Sequence, residues 1–156
     1  MIGLGKYEEL LINYDYIYIE DKYNLPGKFK GFYDNDVILI DSKLSTHQKH
    51  AVLAEEIAHY KYTYGNILDQ SNMLNKKLEL FARRKAYESV ITLQGLIDAY
   101  NNGISNIHEM ADFFEVNLGF VQECLSHYQN KYGLYTHYGD YIIRFDPLTI
   151  NKQLSD

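Results

Sequence analysis

The sequence is poor in several residue types that would indicate a secreted or membrane-bound protein. It has one cysteine, two prolines and no tryptophan in 156 residues. One cysteine forms neither an internal disulfide nor a cysteine-built zinc site, which is typical of the reducing cytoplasm. No apolar run approaches the roughly 20 residues that cross a bilayer, and residues 1–9 lack the basic-then-apolar order of a signal peptide. We therefore expect a cytoplasmic protein with no membrane segment.

What the chain does contain is typical of a globular protein. Hydrophobic residues make up 46% and charged residues 23%, and the length suits one domain or one domain with a small appendage. The net charge of −6 disfavours a protein whose main task is to grip a nucleic-acid backbone. The 16 tyrosines are unusual, and nothing in their spacing assigns them a function.

Hydrophobic periodicity predicts an α+β fold. Three strand-like runs near the N-terminus, two of them flanking an Asp-Asn-Asp turn, predict a small antiparallel sheet. Helical periodicity follows, and two further strand-like runs predict a terminal β-hairpin. The predicted helices span residues 4–13, 45–64, 72–90, 93–100, 107–114 and 118–132, and the predicted strands span 14–20, 28–33, 37–40, 135–138 and 141–145.

The helix predicted at residues 45–64 carries the residues with the most chemical potential. Glu55 and His59 lie four apart and share a helix face, and Glu56 lies one step round from them. This is the spacing of the zinc-peptidase motif H-E-x-x-H, in which two histidines bind the metal and the glutamate activates water. Here Glu55 replaces the first histidine. Without further context, such a string is typical of a solvated helix face.

Glu79, on the next helix, is the candidate for a third metal ligand. It lies in line with Ala82, Ala86 and Val90, and a carboxylate on such a small, apolar face is costly unless it is paired or bound to a cation. Arg83 offers the alternative of an ordinary helical ion pair. If Glu79 meets the first motif, three carboxylates share one site, and a divalent metal would relieve their repulsion.

The other reactive residue types do not form a second candidate site. His47 and His50 lie about 120° and 180° round the helix from His59, so we interpret both as surface or capping residues. Cys124 falls within an apolar helical pattern, which favours a core position over a catalytic one.

The ordered series of motifs resembles the ImmA/IrrE family of metallo-endopeptidases (the IrrE N-terminal-like domain), in its short phage and mobile-element form. The segments that carry the resemblance are YEELL at 7–11, FKGFY at 29–33, VILI at 37–40, VLAEEIAHY at 52–60, GNI at 65–67, NKKLE at 75–79, ARRKAYE at 82–88 and FDPL at 145–148. The resemblance covers nearly the whole chain and implies a helical, zincin-like core.

The resemblance also implies roles for the motif residues. His59 matches the second metal-binding histidine, Glu56 the general base and Glu79 the downstream acidic ligand, while Glu55 stands where the first histidine would be. A carboxylate binds zinc at much the same distance as imidazole, so Glu55 remains a candidate ligand. A site with one nitrogen and two carboxylates suits manganese or iron as well as zinc.

The family is known for disabling a helix-turn-helix repressor and so releasing mobile-element genes. The resemblance therefore implies a metal-dependent endopeptidase with a repressor protein as substrate or binding partner. Two alternatives stay open: a catalytically inactive anti-repressor on the same fold, which the replacement of the first histidine by Glu55 favours, and a toxin-like component of a two-gene module.

The C-terminal part has the look of a helix-turn-helix followed by a wing. A DNA-reading second helix needs arginines and lysines, and residues 118–132 offer only Lys131. We therefore expect this segment to pack or to face a protein. The sequence predicts a peptidase-type domain over residues 1–103 and a helix-turn-helix-like tail over 104–156, either as two parts or as one continuous domain.

Overall fold

The computed structural model describes residues 3–62 and 73–153, and it confirms the α+β class. The described helices are α1 Lys6–Asn13, α2 Thr46–Tyr62, α3 Met73–Val90, α4 Leu93–Asn101, α5 Ile107–Phe114 and α6 Leu118–Tyr132. The described strands are β1 Tyr18–Glu20, β2 Gly31–Asp34, β3 Val37–Ile40, β4 Tyr135–Tyr138, β5 Tyr141–Phe145 and β6 Leu148–Lys152. The chain divides into two compact units, Met1–Ala86 and Tyr87–Asp156. The functional division at residue 103 stays a prediction.

The sheet of the first unit has the strand order β1-β3-β2. β2 and β3 form the predicted antiparallel hairpin, with Asp34 opposite Val37. Its two turn residues, Asn35 and Asp36, have φ of 47° and 65°, as a type I′ turn requires. β1 pairs with β3 in parallel, so the sheet is mixed, and antiparallel pairing is confined to the hairpin.

The core of the first unit lies between this sheet and two helices. α2 packs against β2, β3 and α1. Apolar side chains from α1, α2, β3 and the turn before β1 meet at a cluster formed by Tyr7, Ile17, Ile38, Ile40, Leu53 and Ile57. Burial of these side chains fixes which face of α2 turns toward the core. The positions of the other residues of α2 around the helix follow from that orientation.

The second unit joins α4, α5 and α6 to a three-stranded antiparallel sheet of order β4-β5-β6. The predicted hairpin is present, and β6 adds a strand that we did not predict. Tyr128 on α6 stacks on Phe145 of β5, with ring centroids 5.6 Å apart. Cys124 is fully buried, so the prediction that it belongs to the core is confirmed.

Most helix bounds agree with the sequence pattern within two residues. α5 and α6 match their predicted spans. The predicted end of α2 at Tyr64, before Gly65, and the predicted start of α3 at Asn72 lie outside the described residues. In the part of the chain that is described, no helix combines the length and the apolar character needed to cross a bilayer.

Candidate functional site

The helix that carries the motif begins with a complete capping box. The backbone N–H of Ser45 donates to Gln48 Oε1 at 2.9 Å, and the N–H of Gln48 donates to Ser45 Oγ at 3.2 Å. Two of the unpaired donors at the helix start are thereby satisfied. Leu53 and Ile57 then anchor α2 in the core, so the orientation of Glu55, Glu56 and His59 is set by cap and core together.

His59 and Glu79 meet across α2 and α3. His59 Nε2 lies 3.1 Å from Glu79 Oε2, and the two side chains are only 6% and 17% exposed. Arg83, the alternative partner, also approaches Glu79, with its Nη2 3.4 Å from Oε1. Glu79 therefore contacts both His59 and Arg83. His59, from α2, is the more buried of these two partners.

The carboxyl of Glu56 is strongly perturbed by its surroundings. Its pKa is raised from 4.5 to about 7, mainly by burial; the charge of His59 opposes this rise, and the charges of Glu55 and Glu79 add to it. A carboxyl whose pKa lies near neutrality exchanges a proton readily at physiological pH, which is the property of a general base or acid.

His59 and Glu79 shift each other as an ion pair. Burial alone would lower the pKa of His59, but the hydrogen bond to Glu79 and the charges of Glu56, Glu79 and Glu55 together raise it. The hydrogen bond from His59 lowers the pKa of Glu79 against the opposing effect of burial. The four predicted site residues therefore form one electrostatically coupled cluster.

Strand β2 passes directly over Glu56. A side-chain carbon added at Gly31 would lie 3.0 Å from Glu56 Oε1 and 2.5 Å from Val52 Cγ1, so only glycine fits without displacement. The N–H of Asp41 donates to the carbonyl oxygen of Lys30, so these two residues form a hydrogen-bonded pair. Along an antiparallel ladder, such pairs alternate with pairs that are not hydrogen-bonded. The backbone groups of Gly31 and Tyr33 therefore point away from β3.

β2 is an edge strand of the described sheet. Its outward N–H and C=O groups at Gly31 lie beside the Glu56 carboxylate, and an extended peptide could pair with such an edge. The sequence pattern does not indicate Gly31 as a site residue. The sequence pattern of residues 31–34 predicts how this strand aligns with the next strand of the hairpin. It does not show which helix residue lies beneath the strand.

The fit of a metal ion to these residues is partial. Two ligands of a tetrahedral zinc ion lie roughly 3.4 Å apart when each bond is about 2.1 Å, and the 3.1 Å between His59 Nε2 and Glu79 Oε2 is close to that separation. Among residues 3–62 and 73–153, however, no three His, Cys, Asp or Glu side chains form a group that could hold a metal. The structure thus brings together two of the three predicted ligands as a pair, and it does not bring Glu55 into a group of three with them.

The interpretation of His50 as a surface or capping residue is wrong. His50 is only 5% exposed. It precedes Leu53, Ala54 and Ile57 by three, four and seven residues, so it shares their core-facing side of α2. That periodicity was available in the sequence.

Comparison with known proteins identifies the family. The family model described as the IrrE N-terminal-like domain, Peptidase_M78, matches residues 13–126. No curated protein and no solved structure matches the chain significantly. The matched span covers more than half of the chain and includes Glu55, Glu56, His59 and Glu79. The chain therefore belongs to the IrrE N-terminal-like family, a family of metallopeptidases.

Proposed function

We propose that this protein is a metal-dependent endopeptidase that cleaves, and so inactivates, a helix-turn-helix repressor of a phage or mobile element. The observation that carries the proposal is the 3.1 Å contact between His59 Nε2 and Glu79 Oε2. It joins a motif residue on α2 to a carboxylate on α3 that had been singled out as a ligand. Membership in a metallopeptidase family supports the same chemistry.

The proposed metal ligands are Glu55, His59 and Glu79, with zinc, manganese or iron as the ion. A bound divalent metal would supply Lewis acidity toward a peptide carbonyl and toward water. Glu56 is the proposed general base, because its pKa of about 7 allows it to accept a proton near neutral pH and to release it again.

An extended polypeptide is the substrate form that the site favours. The outward-facing backbone of β2 at Gly31 would hydrogen-bond a peptide strand and keep it beside Glu56. A repressor as the source of that peptide follows from the resemblance to ImmA/IrrE proteins. The partner and the setting in a mobile element are part of the proposal.

Metal analysis is the first test. The purified wild-type protein should contain, or take up, about one zinc or manganese ion per chain, as measured by mass spectrometry and calorimetry. His59→Ala should lose most of that metal, because the imidazole is the single nitrogen ligand. His137→Ala, which changes an exposed histidine on β4, is the control and should keep it. A wild-type protein that rejects both ions contradicts the metallopeptidase proposal.

Where a helix-turn-helix protein is encoded beside this gene, co-expression of the two proteins tests the chemistry. The wild type should produce repressor fragments, and Glu56→Gln should produce none while retaining the metal, since glutamine cannot accept the proton. If Glu56→Gln still releases repression without any fragments, the protein acts by binding alone, and the endopeptidase proposal is wrong.

A further inference from the structure

Four tyrosines of the first unit form a continuous row of rings, here called the tyrosine row: Tyr14, Tyr16, Tyr60 and Tyr33. Ring centroids lie 5.8 Å apart for Tyr14 and Tyr16, 6.3 Å for Tyr16 and Tyr60, and 6.2 Å for Tyr60 and Tyr33. The last pair meets edge to face at 86°. The row joins the loop before β1 to α2 and β2.

One end of the tyrosine row lies next to Glu56. Tyr33 follows Gly31 by two residues on β2, so both side-chain positions face α2, and Gly31 contacts Glu56. Tyr60 is one helical turn beyond Glu56. A chain that runs past Glu56 along β2 would therefore pass the rings of Tyr33 and Tyr60.

The row is more than core packing. Tyr14, Tyr33 and Tyr60 are half-buried against the hydrophobic core, but Tyr16 is not part of that contact and is 66% exposed. An exposed ring held against a second ring presents a π face to solvent. Such a face attracts apolar groups and, through its quadrupole, cations.

The charges around the row favour a cation. The ammonium of Lys61 lies 5.0 Å from the centre of the Tyr14 ring, so a cation of the chain itself occupies that end, and the rings left for a partner's cation are those of Tyr16 and Tyr60. At the other end, Asp34 and Asp36 flank Tyr33; burial first, and then the charge of Asp36 and that of Asp34, raise its pKa. With a net charge of −6, the chain is complementary to a basic partner.

We propose that the tyrosine row, together with Asp36, is a docking surface for a basic segment of the protein substrate, with an arginine or lysine side chain placed over Tyr16 and Tyr60. This inference rests on the proposed function, because it assigns the surface to the same substrate. It accounts for part of the tyrosine excess, which the sequence alone leaves without a role.

The test uses a short blocked peptide of alternating alanine and arginine, and the same peptide with glutamine in place of arginine. Binding is measured by calorimetry at low salt on the full-length protein. The wild type should bind the arginine peptide at least about threefold more tightly than the glutamine peptide, which is the size expected of one exposed cation–π contact. Equal affinities, or no binding of the arginine peptide, overturn the proposal.

Variants locate the binding. Tyr16→Ala should weaken the arginine peptide by about threefold, whereas Tyr16→Phe keeps the ring and most of the affinity. Asp36→Asn should also weaken it, and asparagine suits the positive φ at this position. Tyr23→Ala removes a ring that is 62% exposed but outside the row, and it should change nothing. An equal loss in Tyr23→Ala, or no loss in Tyr16→Ala, contradicts the assignment.

These results are separate from those that test the proposed function. Peptide binding needs neither metal nor cleavage, so a protein that binds no metal can still bind arginine at Tyr16. Conversely, a protein that cleaves its repressor but binds both peptides equally keeps its proposed function and loses this docking surface.

Discussion

At the scale of single residues, Gly31 is the point where strand and candidate base come closest. A side-chain carbon there would lie 2.5 Å from Val52 Cγ1, a separation that atoms do not tolerate. Gly31→Ala should therefore lower the free energy of unfolding by about 2 kcal/mol, measured by urea denaturation. Gly3→Ala is the control, because a carbon added at Gly3 meets nothing within 4 Å.

A second substitution separates the two contacts of Gly31. Val52→Ala removes the side-chain atom that the new carbon of Gly31→Ala would meet most closely. The double variant should therefore lose less stability than the sum of the losses in Gly31→Ala and Val52→Ala. A double-mutant cycle measures this coupling. Purely additive losses would contradict the close approach of β2 to α2 at Gly31.

The ion pair of His59 and Glu79 should stabilise the metal-free protein over a limited pH range. The raised pKa of His59 contributes stability that is present below about pH 6.5 and lost as pH rises through the folded pKa. The lowered pKa of Glu79 contributes stability that is present above about pH 4.5 and lost as pH falls through the folded pKa. The pair is therefore strongest between these limits.

Glu79→Gln should accordingly cost about 2 kcal/mol near pH 5.5 and clearly less at pH 9, by chemical denaturation in the presence of a chelator. Arg83→Gln is the matched control, because it removes the other partner of Glu79. The side chain of Arg83 is 40% exposed. It should cost only a few tenths of a kcal/mol. If the loss for Glu79→Gln is the same at both pH values, His59 is not its main partner.

Local spacing carries most of the residue-scale interpretation of the sequence, and the assignment of these residues to a metal site stays a prediction. The three α2 residues share a region of one helix, and Glu79 stood out because a carboxylate on a face of small residues needs a partner. Gly31 could not be found in the same way, because its close approach to Glu56 depends on how a strand crosses a helix. His50 was a different kind of failure, since its apolar periodicity was visible.

At the scale of elements, the two helices of the helix-turn-helix-like segment begin with asparagines that act differently. The side chain of Asn106 accepts from the N–H of Glu109 at 2.8 Å and donates to the Glu109 carboxylate. Asn117 occupies the same position before α6, but its side chain makes no capping bond. One cap is therefore bonded and the other is not.

Asn106→Ala should destabilise the protein by about 1 kcal/mol, the usual cost of removing a bonded N-cap. Asn117→Ala should cost only a few tenths of a kcal/mol, because no capping bond is lost. Thermal denaturation of the two variants at one pH makes the comparison. Equal losses would show that position alone, rather than the side-chain bond, determines the stability of these helix starts.

The elements themselves were largely predictable, but their pairing was not. Helical periodicity located α5 and α6, and the Asp-Asn-Asp turn located the hairpin of β2 and β3. The parallel pairing of β1 with β3 joins strands that are not neighbours in sequence, so no local pattern indicates it. β6 was missed because the alternation of Leu148 and Ile150 with polar residues is short.

At the scale of the whole molecule, the acidic residues gathered around Glu56 make the stability of the fold depend on pH. Glu56 is held in a cluster where its ionised form is unfavourable, because burial and two neighbouring carboxylates oppose its charge. Without a metal, the folded protein keeps this proton to about pH 7, whereas the unfolded chain releases it near pH 4.5. The folded state therefore binds more protons between these values, and its stability falls as pH rises through them.

Replacing the carboxyl removes this pH dependence. The stability of Glu56→Gln relative to the wild type should rise by roughly 2 kcal/mol between pH 5 and pH 8, measured by chemical denaturation with a chelator present. The same comparison with added zinc or manganese should reduce the advantage at pH 8, because a cation would offset the carboxylate repulsion in the wild type. A relative stability that does not change with pH would show that Glu56 ionises normally, and it would leave the site without a carboxyl tuned to neutral pH.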